Sequence, residues 1–270
     1  MPLEVICLCT YLVTENYGLW RPQDHNASKF VKALKGETLN GYAYVPVLGV
    51  QRHLDNSNLD ESIVWFGDLV ASYMQQHGMN PPFVLVPVPN SSSTTKDSSS
   101  RPRTRKLARA IAAKIGQGTT VADCLRWKQN LGSARKGTGV ATRDAATLYS
   151  NLAVIEKIDG SNPYILIDDA IASGGHLQAC AAMLAKRGAT VVSAFCGGGR
   201  FTNRLIRLLL PCAKNSPTTY RSFRDALAAA AFSEKGVGEF LSITHLCLAA
   251  KRSSELLEHL RSAFPVELSC

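Results

Sequence analysis

The run Tyr164-Ile165-Leu166-Ile167-Asp168-Asp169-Ala170-Ile171-Ala172-Ser173-Gly174-Gly175-His176 constrains the fold more than any other part of the chain. Its first four residues are apolar or aromatic, which suits a strand buried on both faces inside a parallel sheet. Two carboxylates follow at the C-terminal end of that strand. A Ser-Gly-Gly turn then opens a helix-forming stretch, 176–188 (HLQACAAMLAKRG), and 190–195 (TVVSAF) is the next strand. Strand, loop, helix and strand in this order predict a doubly wound parallel α/β sheet, because parallel neighbours need a crossover. Open sheets of this kind bind ligands beyond the carboxyl ends of their strands, where the two acids are expected. The glycines let N–H groups at a helix start come close to a phosphate. Carboxylates accept from vicinal hydroxyls while the N–H groups donate to phosphate, so the two halves together suit a ribose 5-phosphate.

The rest of the chain extends the pattern. Residues 3–13 (LEVICLCTYLV), 42–50 (YAYVPVLGV) and 83–88 (FVLVPV) are apolar runs of strand length. Helical spacing of Ile63, Val64, Phe66, Leu69, Val70, Tyr73 and Met74 predicts a helix over 60–77, with Gly78 as its stop. Further helices are expected at 28–34 and 105–115, and a strand-like start at 121–125. Residues 90–104 are polar and of low complexity. Gly197-Gly198-Gly199 read as a flexible connection after the last core strand. Beyond Arg200 the sequence reads as mainly helical, over 203–210, 221–232 and 253–263, with a last strand at 242–248. The expected division is 1–80 as a hood with the first strands and helix, 81–199 as the core, and 200–270 as a helical C-terminal extension, all in one compact unit.

Charge narrows the partner. The 270 residues carry 30 Lys+Arg against 21 Asp+Glu, a formal net charge of +9. Residues 96–143 alone hold 12 Lys/Arg against Asp97 and Asp123, so the excess is local and the remainder is near neutral. Such a segment calls for an anion, either phosphate groups or nucleic acid. For Arg101–Lys106 a solvated loop and an anion-binding role stand equally open. The eight cysteines are scattered without C-x-x-C spacing, and no apolar stretch reaches membrane-spanning length. Glu4 stands where a secretory leader needs positive charge, so a reducing, cytoplasmic setting and no membrane partner are expected. No HExxH or Walker-type arrangement is present, which leaves metalloprotease and P-loop kinase readings without support.

The ILIDDAIASGGH run resembles the signature of the type I phosphoribosyltransferases: an apolar strand, two acids and a small, Gly-containing loop. In that family the acids bind the 2′ and 3′ hydroxyls of phosphoribosyl pyrophosphate (PRPP), often with Mg²⁺ nearby, and the loop wraps the 5-phosphate. The resemblance implies Asp168 and Asp169 as the ribose acids, with Mg²⁺ as cofactor held there directly or indirectly. It implies Ala172, Ser173, Gly174, Gly175 and His176 as the phosphate loop. Ala172 stands where many members carry a hydroxyl, and His176 where many carry Thr or Ser. The stretch 84–91 (VLVPVPNS) resembles the strand and turn of the pyrophosphate loop, implying Pro89, Asn90, Ser91 and Ser92 in that role. Its VPVP, and LARAIA at 107–112, are similar to the ComF-like branch, here without that branch's zinc ribbon. Leu125-Arg126-Trp127-Lys128, with Ala134-Arg135-Lys136-Gly137 and Arg143, resembles the flexible loop that closes over PRPP. Arg126, Lys128, Arg135 and Lys136 are the catalytic cations this implies, and which of them reaches the pyrophosphate stays open.

The resemblance runs from about Ala33 to about Phe195. It implies transfer of ribose 5-phosphate from PRPP to an acceptor left open, nitrogenous or another nucleophile, with release of pyrophosphate, the acceptor being chosen by the variable hood. Two other readings are carried beside it. One is a regulatory, nucleic-acid-associated protein on the same fold, gripping phosphates through 96–143. The other is a toxic or defence effector restrained by a partner bound to 200–270. Assembly with a second copy stays open as well.

Overall fold

A computed structural model describes residues 3–11, 22–96, 102–131, 144–171 and 174–200. The expectations for 201–270 lie outside the described residues. In chain order the elements begin with β1 (Glu4–Tyr11), α1 (Pro22–Leu34), β2 (Ala43–Val47), β3 (Val50–Leu54), α2 (Glu61–Gln76), β4 (Val84–Pro87) and α3 (Thr104–Ile115). They continue with β5 (Thr120–Val121), β6 (Leu125–Trp127), α4 (Ala145–Ser150), β7 (Leu152–Val154), β8 (Tyr164–Ile171), α5 (Gly175–Lys186) and β9 (Val191–Arg200).

Five of the strands form one parallel sheet in the order β1-β9-β8-β4-β5, with all four pairings parallel. Successive strand residues point to opposite faces, and apolar residues occupy both. Val84, Val86, Tyr164, Leu166, Ala194 and Cys196 pack on one face with Leu177, Cys180 and Leu184 of α5. Ile6, Leu85, Ile165, Ile167 and Phe195 pack on the other with Phe30 of α1, Phe66 and Val70 of α2, and Leu107 and Ile111 of α3. The result is a three-layer parallel α/β architecture, as the alternation of strand and helix signals predicts. Burial decides the local contests. Fully burying a side chain such as Phe66 contributes about 2 kcal/mol, several times the tenths by which β-branched Ile63 and Val64 disfavour the helix around them.

Four differences from the sequence expectation have local causes. The apolar run 42–50 is not one strand: Leu48-Gly49 forms a two-residue turn, and β2 and β3 make an antiparallel hairpin. α1 begins at Pro22 rather than at residue 28, since the fixed φ of proline suits the first turn of a helix. β8 continues past the apolar run to Ile171, so the two acids are strand residues rather than the start of a loop. Gly197-Gly198-Gly199 are not a flexible connection but the C-terminal half of β9, flanked by β1 on one side and β8 on the other. No helix among the described residues is long and apolar enough to cross a membrane.

Candidate active site

The connections change direction between β4 and β8. α3 carries the chain from β4 to β5 over one face of the sheet, and α5 carries it from β8 to β9 over the other. The carboxyl ends of β4 and β8 therefore flank a topological switch point, where open α/β sheets bind ligands. Pairing between these strands ends at Pro87 and Ile167, with the Val88 N–H donating to Ile167 O at 2.9 Å just beyond. Asp168 and Asp169 begin where β4 stops, and among the described residues β9 is the strand that runs on beside them.

Alternation along β8 directs the two side chains to opposite faces, yet they remain linked. The Asp169 N–H donates to Asp168 Oδ1 at 2.8 Å. Asp169 also accepts from Arg103 Nη2 at 3.1 Å, while Arg103 Nη1 donates to the carbonyl of Lys35 at 2.6 Å. Burial, and after it the charge of Asp169, push the Asp168 carboxyl up from its ordinary value of 3.8 to about 8. Burial raises Asp169 as well, against the opposing pull of Lys35 and Arg103. The acid pair is thus desolvated and holds on to protons that free carboxyls would release, and it is flanked on the α1–α3 side by two cations. Gly197 is what lets β9 lie this close: a Cβ there would stand 2.7 Å from Asp169 O and would also run into the Leu34 side chain.

Gly174, with φ +79°, caps α5 in the left-handed region that favours glycine, and Gly175 is buried as the first helical residue. The N–H groups of this helix start lie directly downstream of the acid-bearing strand. Ala172 and Ser173 lie outside the described residues. Pro89 through Ser93 form a turn closed by Ser93 N–H to Asn90 O at 2.9 Å and by a short bond from Ser93 Oγ to Asn90 Oδ1. Asn90 Nδ2 reaches Ser92 Oγ at 3.0 Å, and Ser91 O accepts from the Leu131 N–H at 3.4 Å.

Trp127 ties these pieces together. It is fully buried and donates its indole N–H to Pro89 O at 3.1 Å. Its main chain bonds at the far end of the same turn, from Trp127 N–H to Ser93 O and from Thr95 N–H to Trp127 O. Its ring lies edge-on to the His176 imidazole, with 5.5 Å between centroids. The turn after β4, the start of the loop after β6 and the first turn of α5 therefore share one anchor. Sequence reasoning placed Trp127 in the loop but gave it no such role.

The expected cations are distributed differently. Arg126 is buried, and its guanidinium makes a bidentate pair with the buried carboxylate of Asp123 at 2.7 and 3.0 Å. Arg105 Nε stands 3.4 Å from the same carboxylate. Lys128 is exposed and donates to Ser150 O, at the end of α4, at 2.7 Å. Arg135 and Lys136 lie outside the described residues. Among the described residues, the cations that act on the acid pair are Arg103 and Lys35. Arg103 belongs to the basic cluster flagged in the sequence. Its partner, 66 residues away, has no local signature.

No cluster of three or more potential metal ligands occurs among the described residues. One carboxylate of the pair is enough for Mg²⁺, a hard cation that takes one or two protein carboxylates and fills its shell with substrate oxygens and water. No protein-family model matches the chain, and no curated protein matches it.

Proposed function

We propose that this chain is a PRPP-dependent phosphoribosyltransferase of the type I kind, closest to its ComF-like branch, acting in the cytoplasm. It transfers ribose 5-phosphate to a nitrogenous acceptor and releases pyrophosphate. One observation carries the reading: an acid pair stands at the switch point of a parallel sheet, at the end of the strand that feeds a glycine-capped helix start. Hydroxyl-accepting carboxylates and phosphate-binding N–H groups there match the two ends of a ribose 5-phosphate. The Pro89–Ser92 turn, across the open end of β4, supplies main-chain and side-chain donors for the pyrophosphate.

The chemistry follows from charge. Breaking the C1–pyrophosphate bond leaves positive character on the ribose and gathers negative charge on the leaving group. Asp168 and Asp169, beneath the ring hydroxyls, hold the sugar in place and favour the positive ring electrostatically. Asp168 or Asp169 would hold Mg²⁺, which would offset charge on the departing pyrophosphate. Buried Trp127 keeps the pyrophosphate turn and the phosphate helix in fixed relation, so the two anionic ends of the substrate are received at a set separation. The nucleic-acid reading draws less support. Arg105 and Arg126 of the basic segment are committed to Asp123 rather than arrayed as an open face.

PRPP with Mg²⁺ should raise the melting temperature, since a ligand at a hundredfold excess over its Kd adds about 2.7 kcal/mol. Asp168→Asn combined with Asp169→Asn should abolish the shift. No shift at millimolar PRPP in the wild-type protein would overturn the reading.

A further inference from the structure

The backbone and side chain of Arg103 are held very differently. Pro102 and Thr104 on either side are buried, and Thr104 Oγ1 donates to Val88 O at 2.7 Å. That bond pins the start of α3 to the last residue before the Pro89–Ser92 turn. The Arg103 side chain is 46% exposed, and from this anchor it crosses to the acid pair, where it meets a carboxylate only 12% exposed. The guanidinium thus joins the carbonyl of Lys35 to the carboxylate of Asp169, while the neighbouring Thr104 hydroxyl ties the same helix start to the end of β4.

We propose that Arg103 is a two-position latch, seated on Asp169 in the ligand-free protein and on the pyrophosphate group once substrate is bound. The proposal rests on the phosphoribosyl reading above. Asp169 Oδ2 cannot serve an arriving hydroxyl or cation fully while the guanidinium occupies it. The guanidinium is half-exposed, so it can leave through solvent, and the buried carboxylate it leaves behind is taken up by the arriving hydroxyl or cation. A guanidinium paired with a multiply charged phosphate makes shorter, charge-assisted and bidentate bonds. Rotation of the side chain alone transfers it, because its backbone is already fixed beside the pyrophosphate turn. Arrival of the pyrophosphate therefore frees the acid that must receive the sugar. A sugar phosphate without pyrophosphate leaves the latch shut.

The latch separates two ligands that share the ribose and 5-phosphate. In Arg103→Ala, ribose 5-phosphate should bind at least as tightly as in the wild type, because its competitor for Asp169 is gone. PRPP should bind about tenfold or more weakly, because a charge-assisted contact to pyrophosphate is lost. Arg103→Lys, which keeps the charge without the fork, should fall between. Titration calorimetry with Mg²⁺ present reads both ligands, and circular dichroism checks that each variant is folded. If Arg103→Ala misfolds, the Lys variant carries the comparison: a reduced preference for PRPP over ribose 5-phosphate supports the latch, and an unchanged one overturns it. Equal weakening of both ligands, or no change in either, assigns Arg103 a purely structural part and overturns the latch while leaving the phosphoribosyl reading intact. Failure of wild-type protein to bind PRPP removes the reading itself, and the latch with it.

Discussion

Trp127 and Pro89, 38 residues apart, are joined by a 3.1 Å hydrogen bond from a fully buried indole to a main-chain carbonyl. A proline carbonyl in this position has little access to water, so its satisfaction depends on the tryptophan. Trp127→Phe keeps an aromatic ring but removes the donor, and should cost about 1–3 kcal/mol. Urea unfolding checks this. A loss below about 0.5 kcal/mol would show that the carbonyl finds another partner.

Arg126 tests the difference between a cation that serves stability and one that serves binding. Removing one member of a buried pair strands the other, at a typical cost of about 3–5 kcal/mol. Arg126→Ala should therefore unfold at markedly lower urea, with Arg105 giving Asp123 partial compensation. Adding Asp123→Asn to it should recover part of the loss. PRPP affinity of the folded fraction should be unchanged. A stable Arg126→Ala protein that has lost PRPP binding would instead return Arg126 to the substrate.

Asp168 gives the metal-free, ligand-free protein a defined pH response. Its carboxyl is raised from 3.8 to about 8, so between those values the folded chain keeps a proton that the unfolded chain releases. The folded state binds more protons there, and stability must fall as pH rises. The favourable contribution is complete below about pH 4 and is lost on passing through about pH 8. The melting temperature of the wild type should drop relative to Asp168→Asn between pH 5 and pH 8. Parallel profiles for the two proteins would show that the carboxyl is ionised throughout.

The parts legible in the sequence are those governed by local periodicity. The spacing from Ile63 to Met74 predicts α2 to within a residue at each end, and the apolar run before Asp168 predicts a central strand. Residues 42–50 misled because their apolar content is continuous through a turn, and a two-residue turn leaves a weak mark when its first position is Leu48. The glycines at 197–199 carry low strand propensity. Their placement in β9 follows from Leu34 and Asp169 crowding Gly197, and that proximity exists only after folding. Asp123 and Arg126 are three residues apart and were open to recognition as a pair. Basic residues nearby drew attention to charge in bulk instead. The acid pair itself was found from local order alone, whereas its bond to Arg103 is a product of topology.

The early end of β4 at Pro87 leaves Asp168 and Asp169 on a stretch of strand with an open flank inside the sheet. Main-chain polar groups need partners wherever water is scarce. Where β4 stops, no neighbouring strand among the described residues takes up that side of β8, so a polar ligand seated there would complete the sheet where the chain itself does not.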